Sequence, residues 1–157
     1  MTRFTTHTVH VSFGDCDPAG IVFFPNYAHW MDTASLSFFM QCGVPLWREL
    51  AKTRGIVGTP LLEIHTRFFK PATYGETLTV TTHVEEWRAK VFVQMHSVTR
   101  AHAGGEDLIC EGREVRAFVK RDADDPDRLR AIPVPEDIRL LCSRPSVPDP
   151  LSTPRSL

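Results

Sequence analysis

The sequence predicts an α+β fold in which one long central helix is wrapped by a five-stranded antiparallel sheet. Three observations lead to this prediction: an apolar stripe with helical spacing around residue 30, long segments with strand patterning after residue 60, and short turns between those segments. Short connections join antiparallel neighbours, so the later strands are expected to form a meander. The long amphipathic helix then covers one face of the sheet.

The N-terminal part of the chain predicts a strand followed by the long helix. The strand is expected at residues 8–13, where apolar and polar side chains alternate. The helix is expected to begin at Pro25, because a missing N–H costs nothing in a first turn, and to end at Gly43, which suits a left-handed exit. Its apolar residues recur on one helical face: Tyr27, Trp30, Met31, Ala34 and Phe38. Phe39 and Met40 widen this apolar surface, which indicates a buried central helix.

The remaining elements follow from the same kinds of pattern. Residues 44–54 predict a short second helix, and residues 121–130 form a charged turn. Pro135 is expected to open a last short helix that ends near Cys142. The other long strands are expected at residues 61–70, 77–88, 91–100 and 108–120.

Length and composition predict one globular domain, residues 1–142, followed by an extended or disordered tail, residues 143–157. The chain has 157 residues, 42% of them hydrophobic, and its tail carries prolines at positions 145, 148, 150 and 154. Its 18 Lys and Arg residues against 19 Asp and Glu residues give a net charge of -1. This balance argues against a dedicated nucleic-acid-binding protein, which normally carries a basic excess.

Membrane insertion, secretion and a structural zinc site are all disfavoured. No segment approaches the roughly 20 apolar residues of a membrane helix, and the N-terminus lacks the apolar run of a signal peptide. The cysteines, Cys16, Cys42, Cys110 and Cys142, are widely spaced, which argues against a disulfide framework or a zinc site. A reducing cytoplasm with free thiols is the expected location.

The densest chemical signal lies in residues 13–27. Asp15 and Asp17 occupy a tight turn just before the N-terminus of the central helix. Free N–H groups at a helix N-terminus can polarise a carbonyl or bind an anion, and a carboxylate nearby can attack that carbonyl or activate water. Spacing alone favours another interpretation, in which both residues are ordinary turn formers.

Two other sites are conceivable in this segment. A calcium loop does not fit, because Ala19 takes its third ligand position and Asn26 takes its twelfth. Cys16, between the two carboxylates, is a candidate nucleophile, but no base is identifiable near it in the sequence, and small buried cysteines are common.

Several separate blocks of the sequence resemble the 4-hydroxybenzoyl-CoA thioesterases of the hotdog-fold superfamily. The similarity extends over roughly residues 9–142, nearly the whole predicted domain. The family fold is a long helix wrapped by an antiparallel sheet, which agrees with the elements predicted above. The matching blocks are residues 14–32, 42–43, 55–60, 86–90, 93–98 and 128–132.

The resemblance implies a catalytic carboxylate and an oxyanion site. The family's catalytic carboxylate maps onto Asp17, which would attack the thioester carbonyl to form an anhydride or would serve as the base for water. The backbone N–H of Phe24 is expected to hold the developing oxyanion. The family often carries Tyr where this chain has Phe24. Because the donor is a backbone N–H, the oxyanion site is expected to be retained, whereas any function of a tyrosine hydroxyl is lost.

The resemblance also implies a pocket for a 4-hydroxylated aryl group. Asp32 and Trp47 are expected to contact the phenolic hydroxyl, and Thr59 is expected to lie close to the site. A buried carboxylate that accepts from a phenol discriminates against substrates without the hydroxyl, because its desolvation then goes uncompensated. Without the resemblance, Asp32 is a solvated helix residue, Trp47 a core anchor and Thr59 the start of a strand.

Basic residues for the nucleotide of coenzyme A are implied in the same way. The matching positions are Arg88, Lys90 and Arg128. Arg130 is a further candidate, and from composition alone all of these are solvated surface charges. His65 and His96 lie on predicted strands, where a structural role is favoured because no partner carboxylate accompanies them in the sequence.

The implied protein is an acyl-CoA thioesterase without cofactor or metal, which binds a small-molecule acyl-CoA and forms homodimers and homotetramers with active sites at subunit boundaries. Neither nucleic acid nor a membrane is an expected partner. Alternatives are a thioesterase for another acyl-CoA or an acyl carrier protein, and a non-catalytic acyl-CoA-binding module. A hotdog hydratase is disfavoured, because that branch has His five residues after its Asp, where this chain has Val22.

Overall fold

The structure, a computed structural model, describes residues 2–145, which form eight strands and three α-helices. The helices are α1 (Pro25–Gln41), α2 (Trp47–Arg54) and α3 (Glu136–Ser143). The strands are β1 (Thr5–His10), β2 (Ile56–Gly58), β3 (Leu61–Phe68), β4 (Thr77–Trp87), β5 (Val91–His102), β6 (Gly105–Ala117), β7 (Val119–Arg121) and β8 (Leu129–Ala131). The predicted tail, residues 143–157, lies outside the described residues from residue 146 onward.

Five strands form one antiparallel sheet in the order β1–β4–β5–β6–β3, as predicted for their number and direction. The predicted meander is confirmed for β4, β5 and β6, which pair in chain order. It is wrong for β3, which pairs with β6 at the edge of the sheet and not with β4.

The connection over residues 69–76 explains this difference, because it crosses the end of the sheet. At its start, Phe69 donates a hydrogen bond to the carbonyl of Ile109 in β6. At its end, Gly75 donates one to the carbonyl of Val11, just after β1. Three strand spacings amount to about 14 Å, and an extended connection of this length reaches up to about 27 Å. A short connection was therefore compatible with strands that are not neighbours.

The central helix α1 buries the face that the sequence predicts. Gly43 leaves the helix with a φ of +86°, as expected for a left-handed exit. The prediction is wrong for Met40, which is 49% exposed, because α1 packs against the sheet on one side only and leaves Leu36 and Met40 exposed. The predicted core residues are all buried: Tyr27, Trp30, Met31, Ala34, Phe38 and Phe39.

Close packing fixes α1 against the sheet. Gly112 of β6 faces Met31, and a Cβ atom at Gly112 would overlap the Met31 sulfur. The first core cluster surrounds Met31 and joins the N-terminal half of α1 to the sheet. The second cluster surrounds Phe39 and joins the C-terminal half of α1 to α2 and α3. Because close-packed contacts of this kind resist displacement, the helix N-terminus has a defined position above the sheet.

Most predicted strand boundaries are off by one to three residues, and two differences change the architecture. Residues 108–120 do not form one strand, because β6 ends at Ala117 and β7 joins a second sheet with the order β2–β7–β8. The first strand ends at His10, and Phe13 begins a short 3-10 turn, Phe13–Asp15, with its ring 78% exposed.

The four cysteines of the chain are all free thiols. Within residues 2–145, the helices are too short or too polar for any of them to span a membrane.

Candidate active site

The turn that follows β1 uses the carboxylate of Asp15 for its own structure. One oxygen of Asp15 accepts hydrogen bonds from the backbone N–H and from the hydroxyl of Ser12, both at 2.8 Å. The carboxylate therefore closes the 3-10 turn, Phe13–Asp15. Asp15 is therefore a turn-forming residue, as spacing alone predicted.

Asp17 is held differently, with one carboxylate oxygen left over. Its Oδ1 accepts a hydrogen bond from the N–H of Ala19 at 2.8 Å, and its own N–H donates to the carbonyl of Ile21 at 2.9 Å. The residue is half-buried, and its Oδ2 has no hydrogen-bond partner within residues 2–145. One oxygen thus orients the carboxylate, and the other is available to act on a bound molecule.

The N-terminus of α1 offers a free backbone donor close to this turn. Phe24 is the N-cap, and its N–H makes no hydrogen bond among the described residues. The next residue, Pro25, has no N–H. The N–H of Phe23 and the side-chain amide of Asn26 both donate to the carbonyl of Asp15, at 2.8 and 2.7 Å. These hydrogen bonds fix the turn against the start of α1. Residues 15–26, which include Asp17 and Phe24, therefore form one rigid unit.

A groove leads away from this unit between α1 and β3. One cavity of about 290 Å³ lies at the start of α1, and an adjoining cavity of about 340 Å³ lies along its first two turns. Phe24 and Phe68 line both, and Ala28 and Ile64 line the second. Burial raises the pKa of Tyr27, in the wall of the first cavity, to about 12, so its hydroxyl stays protonated. The groove is mainly apolar, with a free N–H at one end.

Asp32 lies one helical turn beyond Ala28 on the same face of α1. Its side chain is 69% exposed, and its Oδ1 accepts a hydrogen bond at 2.9 Å from Nη2 of Arg116, which is only 5% exposed. Nη1 of Arg116 donates to the carbonyl of Thr59 at 3.0 Å, and Thr59 is buried. Asp32 and Thr59, two residues singled out in the sequence, are therefore brought together by an arginine.

Arg116 is the site residue that sequence reasoning missed. A signal existed: Glu114 and Arg116 stand two apart in a strand, so opposite charges share the face that buries Cys110. Nε of Arg116 donates to Oε2 of Glu114 at 2.8 Å. Two opposite charges on the buried face of a strand predict a buried ion pair, because buried charges require partners.

A buried chain of hydrogen bonds continues from Glu114 through the sheet. Nε2 of His96 lies 3.1 Å from Oε2 of Glu114, and Nδ1 of His96 lies 2.8 Å from the hydroxyl of Thr82. Burial alone would raise the pKa of Glu114, but hydrogen bonds from His96 and Arg116 outweigh it and hold the pKa below its ordinary value. His96 therefore has a structural partner on each ring nitrogen, whereas His65 is exposed on β3.

Trp47 is partly buried and packs against the second core cluster. Its indole ring packs 5.2 Å from the ring of Phe39 and 6.2 Å from that of Phe118, measured between ring centroids. It also borders Gly58, the residue before Thr59. Trp47 thus lies beside the Gly58–Thr59 segment, where the carbonyl of Thr59 accepts a hydrogen bond from Arg116.

The three basic residues lie at the opposite end of the sheet from Asp17. Arg88 and Lys90 occupy the turn after β4, whereas the Asp17 turn lies near the start of β4, where Val11 donates to the carbonyl of Glu76. The length of β4 separates these ends by about 33 Å. Within one chain the structure does not bring the basic residues to Asp17.

The basic residues themselves lie on the surface. Arg88 pairs with Glu86 at 3.0 Å, and this hydrogen bond raises the pKa of Arg88. The carbonyl of Ala89, between Arg88 and Lys90, accepts from Val134 at 2.9 Å. Arg128 is exposed just before β8, with its N–H bonded to the carbonyl of Asp125. The contact through Val134 ties the turn after β4 to the segment that follows β8.

Comparison with known proteins identifies the family. Residues 11–140 match a family model described as the thioesterase-like superfamily. The 4-hydroxybenzoyl-CoA thioesterase of Pseudomonas sp. (strain CBS-3) is 48% identical over 144 residues, which cover 91% of this chain and 100% of that protein.

Solved structures match over nearly the same range. An aspartate-to-asparagine variant of a 4-hydroxybenzoyl CoA thioesterase, complexed with 4-hydroxybenzoyl CoA, is 46% identical with a TM-score of 0.86, covering 90% of this chain and 99% of that chain. A gentisyl-coenzyme A thioesterase is 30% identical with a TM-score of 0.73, covering 88% and 99%. The predicted resemblance and hotdog fold are thereby confirmed. The chain belongs to the thioesterase-like superfamily.

Proposed function

We propose that this protein hydrolyses an aryl-CoA thioester, with 4-hydroxybenzoyl-CoA as its preferred substrate, to the free acid and coenzyme A. The observation that carries the proposal is that one carboxylate oxygen of Asp17 and the N–H of Phe24 have no partner among residues 2–145, in a hydrogen-bonded turn at the N-terminus of α1 beside an apolar groove. The similarity to a 4-hydroxybenzoyl-CoA thioesterase over 91% of the chain supports the same reaction.

Asp17 and Phe24 divide the chemistry of thioester cleavage between them. The N–H of Phe24, at the positive end of α1, stabilises negative charge on the carbonyl oxygen as the tetrahedral intermediate forms. Such a donor contributes about 3 kcal/mol to transition-state stabilisation. Asp17 either attacks the carbonyl carbon, expelling the thiolate of coenzyme A and leaving an anhydride that water opens, or takes a proton from the water that attacks.

The spacing of Phe24 and Asp32 along α1 is compatible with one aromatic ring. Their backbones are separated by about 12 Å along the helix, at a rise of about 1.5 Å per residue. A 4-hydroxybenzoyl group that spans about 6 Å between its two oxygens, with a hydrogen bond of about 2.9 Å at each end, has a length of the same order. We therefore assign Asp32 as the acceptor for that hydroxyl, with Thr59 and Trp47 shaping the end of the pocket.

We assign Arg88, Lys90 and Arg128 to the phosphates of coenzyme A, and we propose that they serve the Asp17 of a partner subunit. The separation of about 33 Å within one chain supports this assignment. The edge strand β3 offers the surface for pairing, because it is exposed on both faces and carries apolar side chains: Leu62 is 60% and Phe68 is 52% exposed. Two such homodimers would form the homotetramer, and the free thiols suit a cytoplasmic location.

The first experiment removes the carboxylate of Asp17. In Asp17→Asn, the rate of coenzyme A release from 4-hydroxybenzoyl-CoA, followed with a thiol reagent, is expected to fall roughly 10²- to 10⁴-fold with an unchanged melting temperature. Asp15→Asn and Cys16→Ala are matched controls from the same turn, and both should retain turnover. Full activity in Asp17→Asn together with an inactive Cys16→Ala would assign the chemistry to the thiol.

The second experiment identifies the acyl group. Turnover is measured on 4-hydroxybenzoyl-CoA, benzoyl-CoA, aliphatic acyl-CoA esters and an acyl carrier protein thioester. The highest kcat/KM is expected for 4-hydroxybenzoyl-CoA. A higher value for another member of the panel would reassign the substrate, and binding without turnover across the panel would indicate an acyl-CoA-binding module.

A further inference from the structure

Arg116 forms an ion pair with Asp32 although Glu114 already neutralises its charge. Glu114, which is 1% exposed, already provides the counter-charge that a buried arginine needs. Asp32 is a second carboxylate on the same guanidinium, but it is 69% exposed and lies on the surface of α1. Ion pairs with an exposed partner contribute little to stability, so the Arg116–Asp32 bond calls for a different explanation.

The anchoring of Arg116 makes it a rigid donor. Its Nε and Nη1 are fixed by Glu114 and by the carbonyl of Thr59, so its Nη2 has a defined position. Glu114 is in turn fixed by the buried His96. Because the guanidinium group is planar and its donors have a fixed geometry, fixing Nε and Nη1 also fixes the direction in which Nη2 donates to Asp32.

We propose that Arg116 is a positioning residue that holds the carboxylate of Asp32 in the orientation needed to accept a hydrogen bond from a hydroxylated acyl group. The inference rests on the proposed function, in which Asp32 faces the acyl group. Oδ1 of Asp32 is engaged by Arg116, and Oδ2 has no partner in the described part of the chain. A carboxylate with one oxygen fixed presents the other at a constant place, whereas an unrestrained aspartate on an exposed helix face rotates freely into water.

This role predicts an effect on selectivity. The measured quantity is the ratio of kcat/KM for 4-hydroxybenzoyl-CoA to that for benzoyl-CoA. In Arg116→Lys the ammonium group can still neutralise Glu114, but it cannot hold three acceptors in one plane. The ratio is expected to fall about 10- to 100-fold, and the same fall is expected in Asp32→Asn, because each change removes the hydrogen bond between the acyl hydroxyl and an oriented carboxylate.

A double-mutant cycle separates positioning from a general structural effect. If Arg116 acts through Asp32, the ratio in Asp32→Asn/Arg116→Lys is no lower than in Asp32→Asn alone. Arg113→Lys is the matched control, since Arg113 lies on the same strand and pairs on the surface with Glu63, and it should keep the wild-type ratio. Equal losses for both substrates in Arg116→Lys, with an unchanged ratio, would overturn the inference.

A second variant tests the inference in case Arg116→Lys does not fold. Glu114→Gln/Arg116→Gln leaves neither buried charge unpaired, and its ratio is expected to fall to the same extent. A folded double variant that keeps the wild-type ratio would overturn the inference as well. A wild-type ratio close to one would instead overturn the proposed acyl group, and the inference with it.

Discussion

Glu114 and Arg116 stand on the same face of β6, and their side chains pair at 2.8 Å with almost no exposure to solvent. Glu114→Gln removes the buried negative charge and leaves the buried guanidinium with the exposed Asp32 as its remaining counter-charge. The free energy of unfolding at neutral pH is therefore expected to fall by about 3–5 kcal/mol, measured by urea denaturation. Glu111→Gln, on the same strand but only half-buried, should change it by less than about 0.5 kcal/mol.

The same variant predicts how stability depends on pH. The pKa of Glu114 in the folded protein lies below its ordinary value of 4.5. A carboxyl group with a lowered pKa stabilises the fold fully above its ordinary pKa, and this contribution is lost as the pH falls through the folded-state pKa. The difference in unfolding free energy between wild type and Glu114→Gln should be constant above pH 4.5 and shrink below it. A difference that widens in acid would contradict the ion pair.

In the turn after β1, Asp15 is expected to contribute to stability and Asp17 to catalysis. Asp15 accepts two hydrogen bonds from Ser12 and closes the 3-10 turn, whereas Asp17 keeps a free oxygen. Asp15→Asn is expected to lower the unfolding free energy by about 1 kcal/mol, as for the loss of a capping interaction, with kcat close to the wild-type value. Ser12→Ala should have a similar effect on stability, because it removes one of the same hydrogen bonds. A kcat as low as that of Asp17→Asn would instead place Asp15 in the chemistry.

The elements that the sequence predicted well depend on local patterns. The buried face of α1 follows from helical spacing alone, and Pro25 and Gly43 mark its ends in the way that helix termini require. The position of β3 depends on long-range pairing, which the patterning of residues 61–68 does not encode. A connection that can cross the sheet is compatible with either edge.

The candidate site divides in the same way. Asp17 and Phe24 lie in one segment, and the family resemblance singled them out where spacing alone favoured turn formers. Arg116 has one local signal, Glu114 two residues away, but its other two acceptors come from positions 57 and 84 residues away along the chain. The role of such a residue depends on the tertiary structure, and its identity alone suggests only a surface charge.

Lys90 and Arg128 are expected to bind the nucleotide part of coenzyme A by electrostatic attraction. Lys90→Gln and Arg128→Gln should each raise KM for 4-hydroxybenzoyl-CoA by up to about fivefold, the value of an exposed ion pair, with little change in kcat. The KM for 4-hydroxybenzoyl-pantetheine, which lacks the nucleotide, should stay the same. Lys52→Gln, an exposed lysine of α2, serves as the control. An equal increase in KM for both substrates would place these residues elsewhere in the site.

The edge strand β3 predicts that assembly and activity are coupled. Leu62 is 60% exposed on this strand, and a lysine at a sheet edge discourages pairing with a second chain. Leu62→Lys should sediment as a smaller species than the wild type and lose turnover. Thr8→Lys, an exposed position on β1 at the other edge, should keep both. A monomeric and fully active Leu62→Lys would show that one chain contains a complete site.

Complementation tests directly whether two chains share a site. Asp17→Asn retains the basic residues, and Lys90→Gln/Arg128→Gln retains Asp17. If the basic residues of one chain serve the Asp17 of its partner, a mixed dimer of these two variants contains one intact site. Co-refolding them should then produce a component with the wild-type KM for 4-hydroxybenzoyl-CoA that neither variant has alone. If each chain used its own basic residues, every site in the mixture would carry a defect, and only the raised KM of Lys90→Gln/Arg128→Gln would be observed.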